Sequence, residues 1–380
     1  MSIRQLLDDD FSSIVLPEDE LLDPMNDSVE VPHDPRFNMA KRMEIFRSRA
    51  AQAYLDVLRT ACQNRCRIRR NLNHTIVDWD NLQLDAEELD IELRVFTKEK
   101  PIIEPSISTD PIYSFPLSSW AYFYKLRQME LIVQMGFELE VYQVDELAGM
   151  YWYLQNLTQT RLRHLERIRG FIMRRFAATG KDRKASSQTG FGRALSFINF
   201  SMLEATATQA LADALSGLYV VLSRLSVVTS SSRPYSDDAI RYELRMKPFL
   251  AIGLPELLSY DQFLLAVTQP DESTSDFLQF AGEAATRAKK DFELMSRLDG
   301  QTARCRGSEE RWQKNVKDCM KACISTNISI SIVRKAFEAA IASNRKEKTT
   351  EKGIVKLQVE VPPVGKGYHD WWVVPKIMVE

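Results

Sequence analysis

The sequence predicts a mainly α-helical protein, a long-helix, helical-repeat-like bundle with a small two-stranded β unit at its C-terminal end. Three observations predict this. Apolar residues recur at three- and four-residue steps through most of the chain. A sustained alternation of period two appears only beyond residue 354. The chain has 380 residues, 44% of them hydrophobic, enough to bury a sizeable core.

Residues 1–35 form an acidic arm. Pro17, Pro24, Pro32 and Pro35 interrupt it, and ten acids stand against the single base Arg4. Such composition predicts a mostly disordered segment, with one short helix around Leu6 and Leu7. A helical domain is expected over 36–229. Asp34-Pro35 reads as a helix start, an N-cap acid followed by proline at the first turn. Met43, Phe46, Ala50, Tyr54, Val57, Leu58 and Ala61 then form the stripe of a helix reaching about Arg70. A second helix is expected over 75–95, with Ile76, Trp79, Leu82, Leu89 and Leu93 inward. Pro101, Pro105, Pro111 and Pro116 mark a long loop.

A third helix spans 117–135 and is expected to stop at Gly136. Phe137, Leu139 and Val141 alternate with Glu138 and Glu140, a run too short to separate strand from helix entry. From about 144 a helix carries Leu147, Met150, Tyr151, Leu154, Leu157, Leu162 and Leu165. A basic loop over 177–190 leads to a long helix over 191–228, which Ser230 to Pro234 break. A second helical segment covers 230–345: irregular over 240–268, then helical over 274–298 and 308–342. The small β unit, 346–380, pairs strands at 354–361 and 371–379 around Pro362-Pro363 and Gly365-Lys366-Gly367. No internal repeat is evident in the sequence.

Catalytic signatures are scarce. The four histidines, His33, His74, His164 and His369, stand apart and never at metal-ligand spacing, which favours surface or packing roles. Cys62 and Cys66, like Cys319 and Cys323, lie four apart on one helical face and read as buried or half-buried thiols. Neither a nucleophile elbow nor a Walker loop occurs. Gly190-Phe191-Gly192 is a glycine pair before a helix. Helix-start amides there could hold a phosphate, and a flexible hinge is the expected reading. An acetyl-CoA turn of the Arg/Gln-x-x-Gly-x-Gly/Ala kind is approached only at Arg167–Ile172 and Arg304–Glu309, and both fail at the last position. No catalytic, cofactor-binding or metal-ligating residue is therefore assigned, and no small-molecule substrate is expected. No uninterrupted apolar run approaches a membrane span, and the N-terminus carries no secretory signal. A cytoplasmic protein with no membrane partner is expected.

Charge is concentrated although the net value is only −2. Ten bases against two acids lie between Arg36 and Arg70, and nine against two between Arg161 and Lys184. Arg65, Arg67, Arg69, Arg70, Arg167, Arg169, Arg174, Arg175, Lys181, Arg183 and Lys184 are the candidate contacts for ribosomal RNA or another phosphate-rich surface. A solvated helix face is the competing reading, and the acidic arm could instead fold back on these clusters. The aromatic run Tyr151-Trp152-Tyr153 covers most of a helix circumference, as a core or an interface would require.

Two blocks carry a resemblance. Gly136-Phe137-Glu138-Leu139-Glu140-Val141-Tyr142 runs on into Met150-Tyr151-Trp152-Tyr153-Leu154. About a hundred residues later comes Ile240-Arg241-Tyr242-Glu243-Leu244-Arg245-Met246-Lys247-Pro248-Phe249. With Cys62–Arg70, Trp79–Gln83 and Asp85–Glu88, they resemble, in order, the C-terminal half of the large auxiliary subunit of the NatC N-terminal acetyltransferase complex. The resemblance covers roughly Arg36 to Glu380. The long N-terminal half of full-length members has no counterpart here, so the chain is expected to represent a C-terminal half, a short gene model or a truncated product. The resemblance implies a non-catalytic scaffold that binds a catalytic acetyltransferase subunit and a small Sm-like subunit. It implies that they are brought to the ribosome, where nascent chains beginning Met-hydrophobic are acetylated. A helical adaptor or RNA-binding protein unrelated to acetylation is the alternative.

Overall fold

The computed structural model of the protein describes residues 35–61, 65–97, 116–178, 185–228, 237–250, 252–298, 309–347 and 357–379, and leaves some side chains near helix ends undescribed. The expected acidic arm, the proline-marked loop, the basic residues 179–184 and the break at 230–234 lie outside those residues.

The described chain is mainly helical. In order come α1 (Pro35–Ala61), α2 (Arg65–Thr97), α3 (Pro116–Glu138), α4 (Leu147–Ala178), α5 (Ala185–Arg224), α6 (Asp238–Met246), α7 (Tyr260–Thr268), α8 (Thr274–Ser296) and α9 (Glu309–Glu347). Two strands follow, β1 (Leu357–Glu360) and β2 (Lys376–Val379), antiparallel with Leu357 opposite Val379 and Glu360 opposite Lys376. Single 3-10 turns occupy Val144–Glu146 and Lys247–Phe249.

The chain divides into two compact units, each discontinuous in sequence. The first takes residues up to Met129, Arg163–Asn199 and Lys247–Glu256. The second takes Glu130–Leu162, Phe200–Met246 and Leu257–Glu380.

In the first unit α1 and α2 run antiparallel, with Arg42 paired to Glu92 and Arg49 to Asp85. Their inner faces meet α3 in an aromatic cluster. Trp79 lies edge-on to Tyr54 at 5.9 Å and tilted to Tyr124 at 6.2 Å, while Trp120 meets Phe46 at 5.8 Å. Asp90 of α2 accepts hydrogen bonds from the amides of Leu117 and Ser118, at 3.0 and 2.7 Å. It thus satisfies two orphan donors at the start of α3.

In the second unit the apolar helix α5 is surrounded. Ser216 donates to the Ala148 carbonyl at 2.9 Å, and a Cβ on Gly217 would lie 3.2 Å from Ala281 Cβ, so α5 and α8 approach closely there. The stretch Ala194–Arg224 is long and apolar enough to cross a membrane by length and composition, although no uninterrupted apolar run is present; 83% of its apolar window is buried inside the molecule, which accounts for the composition.

Several boundaries differ from expectation. The first helix ends at Ala61, not Arg70, and the second begins at Arg65. No proline or glycine occurs between Arg36 and Lys100 to punctuate the stripe. α3 continues through Gly136 to Glu138. Its end is built by Glu140 in the left-handed region (φ 52°), with Val141 N–H on Gly136 O and Glu140 N–H on Phe137 O. Gly136 lies inside that last turn, where a Cβ would come within 2.1 Å of the Tyr142 hydroxyl. The alternation over 137–141 is therefore a helix end. Residues 185–190, expected in a loop, begin α5, and Gly190-Phe191-Gly192 is helical backbone, not a hinge. The stretch 240–268 contains α6 and α7 and is irregular mainly between them. Trp371 and Trp372 precede β2, which is confined to 376–379.

Candidate functional site

The two motif blocks meet in the second unit. Between the two runs of the first block, the turn before α4 presents Asp145 and Glu146. From the second block, α6 presents Arg241 and Arg245 on one face, four residues apart. Arg245 donates from Nε and Nη2 to the two Glu146 carboxylate oxygens, at 2.8 and 2.9 Å. Arg241 donates from Nη2 to Asp145 at 3.0 Å and to Asp238 at 2.6 Å. Glu146 also accepts from the Gln143 amide at 2.7 Å, so one carboxylate caps the turn and holds α6. Beside these ion pairs Tyr242 donates to the Leu258 carbonyl at 2.7 Å, and its ring lies 4.6 Å from Phe263. Phe263 sits edge-on to Trp152, and a Cβ on Gly149 would come within 2.6 Å of its ring. The rest of the second block, Lys247–Phe249, belongs to the first unit and lies against α2, with Phe249 buried.

The first block also holds the C-terminal strap. Tyr151 stacks between Phe137 at 4.3 Å and Trp372 at 6.0 Å. Its hydroxyl donates to the Trp371 carbonyl at 3.1 Å and accepts from the Val373 amide at 2.7 Å. Tyr219 of α5 donates to the Val373 carbonyl at 3.0 Å, and Ser329 of α9 to the Pro375 carbonyl at 2.8 Å. Burial raises both tyrosine hydroxyls well above their ordinary range, so they remain protonated donors. This is why 371–375 is not a strand: side chains on three helices take its backbone groups, and Pro375 brings no amide proton. Tyr151 and Tyr153 are buried and Trp152 half-buried, so the aromatic run is mostly core.

A second buried set lies nearby in sequence. Arg161 and Glu130, both fully buried, pair at 2.7 Å, and Glu204 accepts from Arg161 at 3.3 Å. In the first unit His164 is buried against Tyr122, and its Nε2 faces the Ser119 carbonyl at 2.7 Å, which places the proton on that nitrogen. Burial, opposed by that hydrogen bond, lowers its pKa to about 4. Lys125 is buried against Asp80 at 2.8 Å and is likewise lowered by burial.

The basic clusters are only partly described. Arg65, Arg67, Arg69 and Arg70 open α2, with side chains outside the described set. Arg167, Arg169 and Arg174 lie on α4, the first half-buried and the others exposed. Arg175 is on the same helix with its side chain outside the described set, and Lys181, Arg183 and Lys184 lie outside the described residues. Arg163, Arg167 and Arg174 share one helical face by spacing. The Arg167–Ile172 near-match to an acetyl-CoA turn is interior to α4, a context with no strand before it. The other near-match lies almost wholly outside the described residues. Cys319 and Cys323 are buried on α9, and burial pushes the Cys319 thiol up to about 12. Cys62 and Cys66 have undescribed side chains. His369 is half-buried, with its Nε2 on Asn315 at 2.8 Å. The His74 side chain and all of His33 lie outside the described set.

Sequence reasoning singled out both motif blocks and missed their ion pairs. The signal was present, two acids between the runs of the first block and two bases four apart in the second. Sequence separations of 96 and 99 hid the pairing.

Comparison with known proteins gives relatives for this chain. The chain is 22% identical over 234 residues to the Saccharomyces cerevisiae protein named N-alpha-acetyltransferase 35, NatC auxiliary subunit, covering 55% of this chain and 29% of that one. The Homo sapiens protein of the same name is 24% identical over 226 residues, covering 58% and 30%. The Drosophila melanogaster homolog is 27% identical over 227 residues, covering 53% and 27%. The chain thus spans about a third of the length of the curated relatives it matches. In fold it is similar to a chain of the NatC complex crystallised with Gag peptide and CoA, with TM-score 0.65 and 18% identity over 88% of this chain and 48% of that one. The apo NatC complex gives TM-score 0.64 at 17% identity, with the same coverage. A family model described as NAA35-like, TPR repeats, matches residues 1–372. The chain belongs to this NAA35-like family of TPR-repeat proteins.

Proposed function

We propose that the chain is a non-catalytic scaffold of a NatC-type N-alpha-acetyltransferase complex. It holds the catalytic subunit and a small Sm-like subunit, and positions them at the ribosome for co-translational acetylation in the cytoplasm. The observation that carries this reading is what the family's motif blocks do. Arg241 and Arg245 fix α6 to the turn before α4, Tyr242 packs on α7, and Tyr151 holds the C-terminal strap. A buried carboxylate–guanidinium pair and tyrosine hydroxyls locked on backbone groups position elements and leave no poised acid, base or nucleophile among them. The relatives' name as auxiliary subunit supports the same reading.

The test is affinity purification of the tagged full chain from native cytosol, with mass spectrometry and an activity assay. Recovery of an acetyltransferase subunit, together with no turnover of acetyl-CoA and a Met-Leu peptide by the chain alone, is expected. Turnover by the chain alone would refute the scaffold role. Recovery of RNA or other proteins without an acetyltransferase would establish instead a helical adaptor unrelated to acetylation.

A further inference from the structure

The stretch between Lys247 and Arg287 contains no lysine, arginine or histidine, and six acids: Glu256, Asp261, Asp271, Glu272, Asp276 and Glu283. Within the second unit this stretch builds α7, a helix of nine residues held at both ends and along its inner side. Ser259 and Gln262 close a capping box at its start. Arg224 closes its end, donating to the carbonyls of Thr268, Gln269 and Glu272 at 2.6, 3.0 and 2.7 Å, with its guanidinium over the Phe277 ring. Val267 is buried, and the Phe263 ring meets Tyr242 at 4.6 Å and Trp152 at 5.5 Å.

The outward side of α7 is apolar with acidic ends. Leu264 and Leu265 are 43% and 60% exposed, three and four residues beyond Asp261, so the three share one side of the helix. Asp261 stands in the first turn, Asp271 and Glu272 follow the last, and Arg224 ties the Glu272 backbone back to it. These three carboxylates are exposed, and none is paired with a base among the described residues. Acids therefore bracket the leucine pair at the two ends of a helix about 13 Å long. Such a face repels the phosphates of RNA and of anionic membranes, and its exposed leucines are the kind of surface that a protein partner buries. We propose that this face of α7 docks a basic amphipathic helix of another protein. Apolar side chains of that helix cover Leu264 and Leu265. Its lysines or arginines, two to three turns apart, meet Asp261 at one end and Asp271 and Glu272 at the other. Because α7 is already fixed at both ends, docking has to order only the partner.

Photo-cross-linking of the tagged full chain in native cytosol tests this. The photoreactive residue p-benzoylphenylalanine replaces Leu265, or Ile328 of α9, 55% exposed, as the control position. Mass spectrometry of the adduct should show, at 265 and not at 328, a segment with apolar residues at helical spacing bracketed by bases. Adding Asp261→Lys, Asp271→Lys and Glu272→Lys should lower the adduct yield at least about five-fold, with the melting temperature unchanged within a few degrees. The shape-preserving set Asp261→Asn, Asp271→Asn and Glu272→Gln should lower it too, which guards against a reversal that unfolds α7. No adduct at 265 would overturn the proposal. So would a captured segment without flanking bases, a yield indifferent to both charge sets, or an adduct to nucleic acid. An adduct to a second copy of this chain would assign the face to self-association and equally overturn it. A segment of the stated pattern supports the docking whichever protein carries it, and the scaffold role is decided separately by recovery of the acetyltransferase subunit.

Discussion

Arg245 grips Glu146 with two parallel hydrogen bonds, 2.8 and 2.9 Å long, across 99 residues of sequence. Both side chains are 12% exposed, and Glu146 simultaneously caps the turn leading into α4. Replacing Arg245 by Ala leaves a largely desolvated carboxylate. The expected loss is about 2–4 kcal/mol, near the range for breaking a buried pair. Glu146→Ala should cost at least as much, because the Gln143 amide loses its acceptor too. The double variant should cost less than the two singles combined, by about 1–3 kcal/mol of coupling. Urea denaturation of the four proteins measures this, and strictly additive losses would show that the pair contributes nothing as a pair.

The strap makes a sharper prediction. Trp372 is 2% exposed and stacked on Tyr151, whereas Trp371 is half-buried, with its indole N–H on Glu138 at 3.2 Å. Trp372→Ala should destabilise by about 3–5 kcal/mol and Trp371→Ala by clearly less. Tyr151→Phe removes the partner of two backbone groups while keeping the ring, at a cost of about 1–3 kcal/mol. Thermal melts separate the three, and equal melting temperatures for the two tryptophan variants would refute the strap as a packed element.

Much of this fold was legible in the sequence, because long apolar stripes at helical spacing point to the long helices α1–α5, α8 and α9, whereas the short α6 and α7 fall in a stretch that reads as irregular. Helix ends were less legible, for a specific reason. α3 and α5 close with Glu140 and Ser226 in the left-handed conformation, at φ 52° and 56°, where glycine is the usual signal. Gly136, which looked like a terminator, instead makes room for Tyr142. The second strand was over-read at its start, because whether 371–375 pairs or is held by Tyr151 and Tyr219 depends on residues more than 150 positions away; the expected strand residues 354–356 lie outside the described residues. The meeting of Arg241 with Asp145 is hidden in the same way. Residue types gave the charges, and only the fold gives the distance.

His164 carries a pH dependence with a definite sign. Its folded pKa, about 4, lies below the ordinary histidine value, chiefly through burial. Between those values the unfolded chain binds the proton and the folded chain does not, so stability rises with pH through that window. The contribution is fully present above about pH 7 and is lost as the pH falls toward 4. Between pH 7 and pH 5 it amounts to something on the order of 2 kcal/mol. His164→Phe keeps a ring beside Tyr122 and should flatten this part of the profile, although losing the bond to Ser119 lowers the whole curve. Denaturant midpoints at pH 5, 6 and 7 for both proteins test it; parallel profiles would show that some other group titrates.

The basic face of α4 tests the proposed ribosome contact. Arg169 and Arg174 are exposed, so reversing their charge should leave the core intact. If this face meets ribosomal RNA, each cation that neutralises a phosphate releases counterions, and binding weakens steeply with salt. Arg169→Glu with Arg174→Glu should then reduce co-sedimentation with ribosomes several-fold at about 100 mM salt, and flatten the log–log salt slope by about two. The melting temperature should stay within a few degrees, since exposed substitutions typically change stability by about 0.5 kcal/mol or less. Added salt weakens any charged contact, so the slope alone cannot locate the cluster, and comparison of the variant with the unaltered chain is decisive. Equal sedimentation of the two across the salt series would make this cluster a solvated helix face and remove it from the proposed ribosome contact.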